Sequence, residues 1–201
     1  MDRTCPTEPS LHTLQETAVP LKIVSGGQTG VDRAALDAAL ELRIPIGGWC
    51  PKGRKAEDGP IPLDYPLRET PSAHYQQRTE WNVRDSDGTL ILCFGAPSGG
   101  TRLTLEIATR LKKPCLVLDL HSAPLPERVR EWMPAHNIQV LNVAGPRGSR
   151  DARVHDSASA FMKEVLRGQG FRRQGTRPPA GLTVRSVFLQ KTCRSPVDHP
   201  N

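Results

Sequence analysis

The chain is expected to fold as an open α/β sheet of five or more parallel strands, with helices on both faces. Three observations predict this. Apolar runs of strand length alternate with stretches of helical periodicity along residues 21–166. Those runs are continuous rather than alternating, as strands buried on both faces require. The first run feeds Ser25-Gly-Gly-Gln-Thr-Gly30 and then an alanine-rich helix, the strand–turn–helix unit of parallel sheets.

The elements follow in order. Residues 21–25 form a buried strand. Residues 31–42 place Val31, Ala34, Ala35, Ala38, Ala39 and Leu42 on one helical face. Residues 44–46 are a short second strand, and 47–70 a long loop rich in Gly, Pro, Lys and Asp. Thr70-Pro71 reads as an N-cap followed by proline at the first helical position, so a helix is expected from there to about Asp85. Residues 88–94 form a third strand, and Gly99-Gly100-Thr101 opens a helix to Lys112. Residues 114–120 are a fourth strand, 126–135 a helix, 138–143 a fifth strand and 152–166 a last helix. Residues 1–20 read as a loose polar leader. Residues 167–201 read as a basic, largely disordered tail, with 182–189 a candidate extra strand.

Open parallel sheets bind ligands beyond the carboxyl ends of their strands, where the strand order reverses. The loops 25–30, 47–70, 95–101, 120–125 and 144–150 are therefore expected to converge. The turn at 26–30 has three glycines in five residues, which favours positive φ and close approach to a ligand. With the helix start behind it, it reads as an anion cradle. It is neither a Walker loop, since no lysine follows Gly30, nor a Gly-x-Gly-x-x-Gly dinucleotide fingerprint. Pro97-Ser98-Gly99-Gly100-Thr101 repeats the cradle on the third strand. Two cradles on one crevice suit a phosphorylated small molecule.

On this reading Gly26, Gly27, Gln28, Thr29 and Gly30 hold phosphate through backbone N–H groups. Asp32 serves as a cap or polar anchor. Arg33, Lys52 and Arg54 supply positive charge. Ser98, Gly99, Gly100 and Thr101 bind a second polar end. Arg78 and Asn82 orient a ring system, and Tyr75 reaches the same crevice from its helix. The reading predicts that Gly27→Val abolishes binding and spares the fold. Cys50 and His121 are further crevice candidates.

Other classes are excluded. No run approaches 18 apolar residues, so no membrane span is expected. The five cysteines are scattered singly and the histidines lack ligand spacing, so neither a disulfide framework nor a bound metal ion is expected. No Gly-x-Ser-x-Gly occurs. The net charge of +6 resides in the tail, where seven Arg/Lys from Arg167 onward face one acid, Asp198. The body is neutral and the chain has nine Phe, Trp and Tyr, so nucleic acid is not an expected partner.

Taken together, Ser25-Gly-Gly-Gln-Thr-Gly-Val-Asp-Arg33, Gly48-Trp-Cys-Pro-Lys-Gly-Arg54, Arg78-Thr-Glu-Trp-Asn82 with Ser86-Asp-Gly-Thr89, and Gly99-Gly-Thr-Arg-Leu-Thr104 resemble the molybdenum carrier proteins. The resemblance covers about residues 21–165. It implies a three-layer Rossmann-like fold related to the Lonely Guy phosphoribohydrolases. It also implies molybdenum cofactor (molybdopterin) as cargo, held and protected without turnover by a cytoplasmic homo-oligomer, with a molybdoenzyme as recipient. The residues by themselves ask only for a phosphorylated ligand, which a pterin or a nucleotide satisfies. The rival is a Lonely Guy-like hydrolase of nucleoside monophosphates. That family is marked by Pro-Gly-Gly-x-Gly-Thr-x-x-Glu with a catalytic glutamate; here Thr104 holds that place. Glu106, two residues on, lies about 200° around the helix and is expected to point away. A third reading is a nucleotide-sensing module that docks through its basic tail.

Overall fold

The computed structural model describes residues 20–151 and 153–167. The leader, the tail and the candidate strand at 182–189 lie outside the described residues. Among the described residues five strands form one parallel sheet: β1 (Lys22–Val24), β2 (Ile46–Gly47), β3 (Gly88–Cys93), β4 (Cys115–Asp119) and β5 (Val140–Ala144), in the order β2-β1-β5-β3-β4. Every neighbouring pair is parallel. The chain moves outward from β1 to β2 on one side and from β3 to β4 on the other. β5 returns between them, so the order reverses at the centre of the sheet.

Among the described residues five helices cover the sheet: α1 (Val31–Glu41), α2 (Tyr75–Arg84), α3 (Gly99–Arg110), α4 (Glu127–Ala135) and α5 (Arg153–Arg167). One core joins Ile23, Leu90, Leu92, Leu141 and Val143 of the strands to Ala34, Ala35, Ala38 and Ala39 of α1. Val129 and Met133 of α4 and Ala158, Met162 and Val165 of α5 complete it. The alanines let α5 lie close against α1. Each large aliphatic side chain in this core contributes about 1.5–3 kcal/mol by leaving water. On the opposite face α2 and α3 meet through Val83, Ile107 and Ala108. The molecule is thus a three-layer, Rossmann-like α/β fold.

Of the boundaries that differ from expectation, two have a clear local reason. Residue 44 belongs to the turn that closes α1 rather than to β2. Arg43 takes φ 57° and the Ile44 N–H bonds the Ala39 carbonyl (2.8 Å), closing the helix. α2 starts at Tyr75 rather than after Thr70. The Thr70 hydroxyl donates to the Ser72 carbonyl (2.9 Å), and the Thr70 N–H bonds the Cys50 carbonyl (2.8 Å), so this residue ties down a loop instead of capping a helix.

That loop is built, not open. Trp49–Cys50 pairs with Arg68–Glu69, and Lys55–Ala56 pairs with Gly59–Pro60. Cys50, Ala56, Ile61 and Leu67 form a small core against Leu36 of α1. The Arg54 guanidinium donates to the carbonyls of Ile61 (2.8 Å), Pro62 (2.6 Å), Tyr65 (2.9 Å) and Leu67 (3.2 Å).

A titratable clasp joins this loop to both helices on its side. Asp37 of α1 accepts the Tyr65 hydroxyl (2.7 Å) and faces His155 Nε2 of α5 (3.0 Å), while Asp156 faces Nδ1 (3.2 Å). Burial opposes charge on His155, but the two carboxylates outweigh it and raise its pKa above 6.5. A raised histidine pKa stabilises the fold fully below the unfolded value and ceases to do so as pH rises through the folded value. His155→Gln should therefore lower the melting temperature at pH 6 and leave it unchanged at pH 9. The site is part-exposed, so the effect at pH 6 is on the order of 1 kcal/mol or less. A deficit of equal size at both pH values would exclude the charged clasp.

Candidate functional site

A crevice of about 400 Å³ opens at the carboxyl ends of β1, β5 and β3, where the strand order reverses. Its size is that of a small-molecule site. The turn after β1 supplies Gly26, Gln28 and Asp32. The end of β5 and the loop after it supply Asn142, Gly145, Pro146, Arg147 and Ser149. The start of α3 supplies Ser98, Gly99, Gly100, Thr101 and Thr104. One face of α2 supplies Tyr75, Arg78, Thr79 and Asn82.

The floor holds a buried ion pair. Arg78 Nη1 lies 2.9 Å from Asp32 Oδ2, with both side chains about nine-tenths buried. Asp32 also accepts the Gln28 N–H (3.3 Å). Burial pushes the Asp32 carboxyl above its ordinary pKa, and Arg78 opposes that rise. Gly26 makes room for the pair, since a Cβ there would lie 1.6 Å from Arg78 Nη1. Two buried side-chain atoms among the described residues have no hydrogen-bond partner, Gln28 Nε2 and Arg78 Nε. Both are N–H donors, and both residues line the crevice.

At the start of α3, Thr101 and Arg102 N–H groups bond the Ser98 carbonyl (3.1 and 3.4 Å). A helix start leaves the N–H groups of Gly99 and Gly100 without an acceptor one turn back, and it carries partial positive charge. A Cβ on Gly100 would meet nothing within 4 Å, so this residue borders open space. The Thr104 hydroxyl donates to the Gly100 carbonyl (2.9 Å).

The loop after β5 is strapped in place by Glu57. Its carboxylate accepts the Thr29 hydroxyl, the Ser149 N–H (3.1 Å) and the Ser149 hydroxyl (2.7 Å). Burial works against its charge, but these donors prevail and its pKa lies below the ordinary value.

Nine of the residues expected at the site line the crevice: Gly26, Gln28, Asp32, Arg78, Asn82, Ser98, Gly99, Gly100 and Thr101. Six do not. Gly27 turns toward Ile61 and Leu67, with a virtual Cβ 2.5 Å from Leu67 Cδ1. Gly30 lets two loops touch, since its Cβ would sit 2.5 Å from the Pro146 carbonyl oxygen. Thr29 accepts from Gly148 N–H (3.1 Å) and donates to Glu57. Arg33 is held by both oxygens of Asp58 (2.5 and 2.8 Å) and by the Gly27 carbonyl (3.1 Å). Arg54 is consumed by its four carbonyls, and Lys52 is exposed in the same built loop.

The amide cradle is also altered. The Gln28 N–H is spent on Asp32 and the Thr29 N–H on Gln28 Oε1 (3.0 Å). Asn82 lines the crevice, but both ends of its amide hold the Trp49 main chain (2.8 Å each). Loops 25–30, 95–101 and 144–150 meet as expected, whereas 47–70 and 120–125 contribute no lining residue. His121 is exposed against Phe94, and Cys50 is fully buried in the loop core, where desolvation raises its thiol pKa.

Sequence reasoning missed Arg147, Ser149 and Asn142. Asn142 had a signal, a polar residue inside the apolar run Leu141-Asn-Val-Ala144. Its amide donates to the Thr89 hydroxyl (3.2 Å) beneath the crevice floor. Arg147 stood between glycines in a loop already expected to converge.

Among the described residues no helix is long and apolar enough to cross a membrane, and no group of three or more His, Cys, Asp and Glu is placed to hold a metal ion. A sequence model of the circularly permutated YpsA SLOG family matches residues 23–166. A crystal structure of a "Putative molybdenum carrier protein" from Syntrophus aciditrophicus SB is similar at 46% identity. The match covers 77% of this chain and 99% of that one, with a TM-score of 0.70. No curated protein matches the chain.

Proposed function

Because the chain belongs to the circularly permutated YpsA SLOG family, we propose that its crevice binds a phosphate-bearing small molecule, with molybdenum cofactor as cargo, and carries it without turnover. One observation carries this reading. The unpartnered buried donors, Gln28 Nε2 and Arg78 Nε, both belong to one crevice, and its one carboxylate among the described lining residues is already paired. Such a site offers buried donors and no free carboxylate to meet them. A phosphate supplies several oxygens at once, and the start of α3 suits one of them.

Carriage rather than catalysis is favoured by the acids. Glu106 is exposed and pairs with Arg102 (2.8 Å) on the outer side of α3, while Thr104 lines the crevice. Asp32, tied to Arg78, anchors the floor instead of serving as a free acid or base. The similar structure's name adds the molybdenum cargo, and the cytoplasmic homo-oligomer and molybdoenzyme recipient remain parts of the same proposal.

Native mass spectrometry of full-length protein from a cofactor-producing host tests this. A retained mass that releases a fluorescent oxidised pterin and molybdenum is expected. A stoichiometric nucleotide in its place, or release of free base from nucleoside monophosphates at enzymatic rates, would overturn it.

A further inference from the structure

We propose that the crevice takes ligands bearing two anionic groups, the second held by a cation cluster assembled around Tyr75. This rests on the anion-binding reading above and narrows its ligand class. Three cations from three separate segments surround one ring. Arg147 Cζ lies 5.0 Å from the Tyr75 centroid, Arg78 Cζ 5.6 Å and Lys55 Nζ 5.8 Å. Cations at this range are attracted to the negative face of the ring, so Tyr75 gathers charges that repel one another.

The acids nearby do not balance them. Asp32 serves Arg78 alone. Glu57 approaches Arg147 only at 4.0 Å, its oxygens being held by Thr29 and Ser149. Among the described residues Lys55 has no carboxylate within ion-pair distance. A positive cluster held by a ring and short of counter-charge is set to receive an anion.

This cluster is distinct from the start of α3. It is built from Tyr75 and Arg78 of α2 and Arg147 of the loop after β5, which line the crevice, with Lys55 beside the ring at its margin, whereas Ser98–Thr101 sit at the start of α3. Gln28, 4% exposed with its Nε2 unpartnered, adds an uncommitted donor to the same crevice. Because Tyr75 is already occupied by guanidinium groups, it serves as a scaffold for charge rather than as a stacking platform. The ligand class is therefore a small phosphorylated molecule that carries a second anionic group.

Calorimetric titration of the full chain with inorganic phosphate, adenosine 5′-monophosphate, adenosine 5′-diphosphate and adenosine 3′,5′-bisphosphate tests this. At least one two-group nucleotide should bind about tenfold or more tighter than the monophosphate. That gain should vanish in Arg147→Gln and Tyr75→Leu and survive in Tyr75→Phe, which keeps the ring. Lys55→Ala, at an exposed position, should shrink it and supplies the answer if the other variants fail to fold. Equal binding of one-group and two-group nucleotides would overturn the second subsite and leave the first reading standing. No binding of any probe would overturn the second subsite together with the phosphate-binding part of the first reading, whose cargo is tested separately by the mass measurement above.

Discussion

Arg78→Met should lower unfolding stability by about 3–5 kcal/mol near pH 8 and abolish anion binding. The guanidinium is the partner of a carboxylate whose side chain is 8% exposed. Removing it leaves Asp32 with the long Gln28 N–H bond of 3.3 Å in place of a charged partner. A charge left alone in that place is costly, so the carboxyl will protonate. Burial already raises the Asp32 pKa, and loss of Arg78 removes the main opposing influence. The sign of the pH dependence follows. A folded-state pKa above the unfolded one means that the fold binds the extra proton, so stability falls as pH rises between the two values. The deficit of Arg78→Met should therefore be large at pH 8 and shrink toward pH 5. Adding Asp32→Asn to the variant removes the orphaned charge and should recover part of the loss, a non-additivity of about 0.5–3 kcal/mol. Urea unfolding at both pH values measures it. A deficit that is the same at pH 5 and pH 8, and additive with Asp32→Asn, would exclude the buried pair as the organising element of the floor.

Much of the fold was legible because its signals are local. Continuous apolar runs gave the strands, and small residues at helical spacing gave α1. The sheet order was not legible, since the return of β5 between β1 and β3 depends on contacts between residues more than a hundred positions apart, such as Ile23 and Leu141. The site was legible by region and not by role. Glycines at 26, 27 and 30 announce close approach, but not what approaches. In the structure the neighbours are Arg78, Leu67 and the Pro146 carbonyl, all parts of the protein. Arg33 and Arg54 showed the same limit. A guanidinium reads as a candidate for phosphate, and only coordinates reveal that Asp58 or four loop carbonyls already occupy it. Gly99, Gly100 and Thr101 fared better because a helix start exposes its N–H groups by geometry alone. Arg147 was obscured because its placement depends on Glu57, 90 residues away in sequence, and on the Tyr75 ring.

The two adjacent glycines give opposite expectations that separate packing from binding. In Gly26→Ala the new methyl would lie 1.6 Å from Arg78 Nη1 and 2.9 Å from Asp32 Oδ2, and it meets no main-chain atom as a near neighbour. The backbone there is not left-handed, so strain is minor. Arg78 is long and can leave, at the expense of its bond to Asp32. Gly26→Ala should remain folded, lose about 1–3 kcal/mol, and bind anions at least about tenfold more weakly. Gly27→Ala differs in every term. Its φ is 71°, and its methyl would lie 2.5 Å from Leu67 Cδ1 and 3.1–3.2 Å from Ile61, inside the core of the 49–69 segment. Left-handed strain of about 1–2 kcal/mol adds to overpacking of about 1–3 kcal/mol. Affinity for an anion should change little in whatever fraction stays folded, because Gly27 does not line the crevice. Gly27→Val, which the amide-cradle reading expects to spare the fold, should unfold more severely still. Parallel urea unfolding and phosphate titration of the two alanine variants read both quantities. If Gly27→Ala loses binding on an intact fold while Gly26→Ala binds normally, the ligand sits on the amides of the first turn, and the crevice floor has been assigned to the wrong groups.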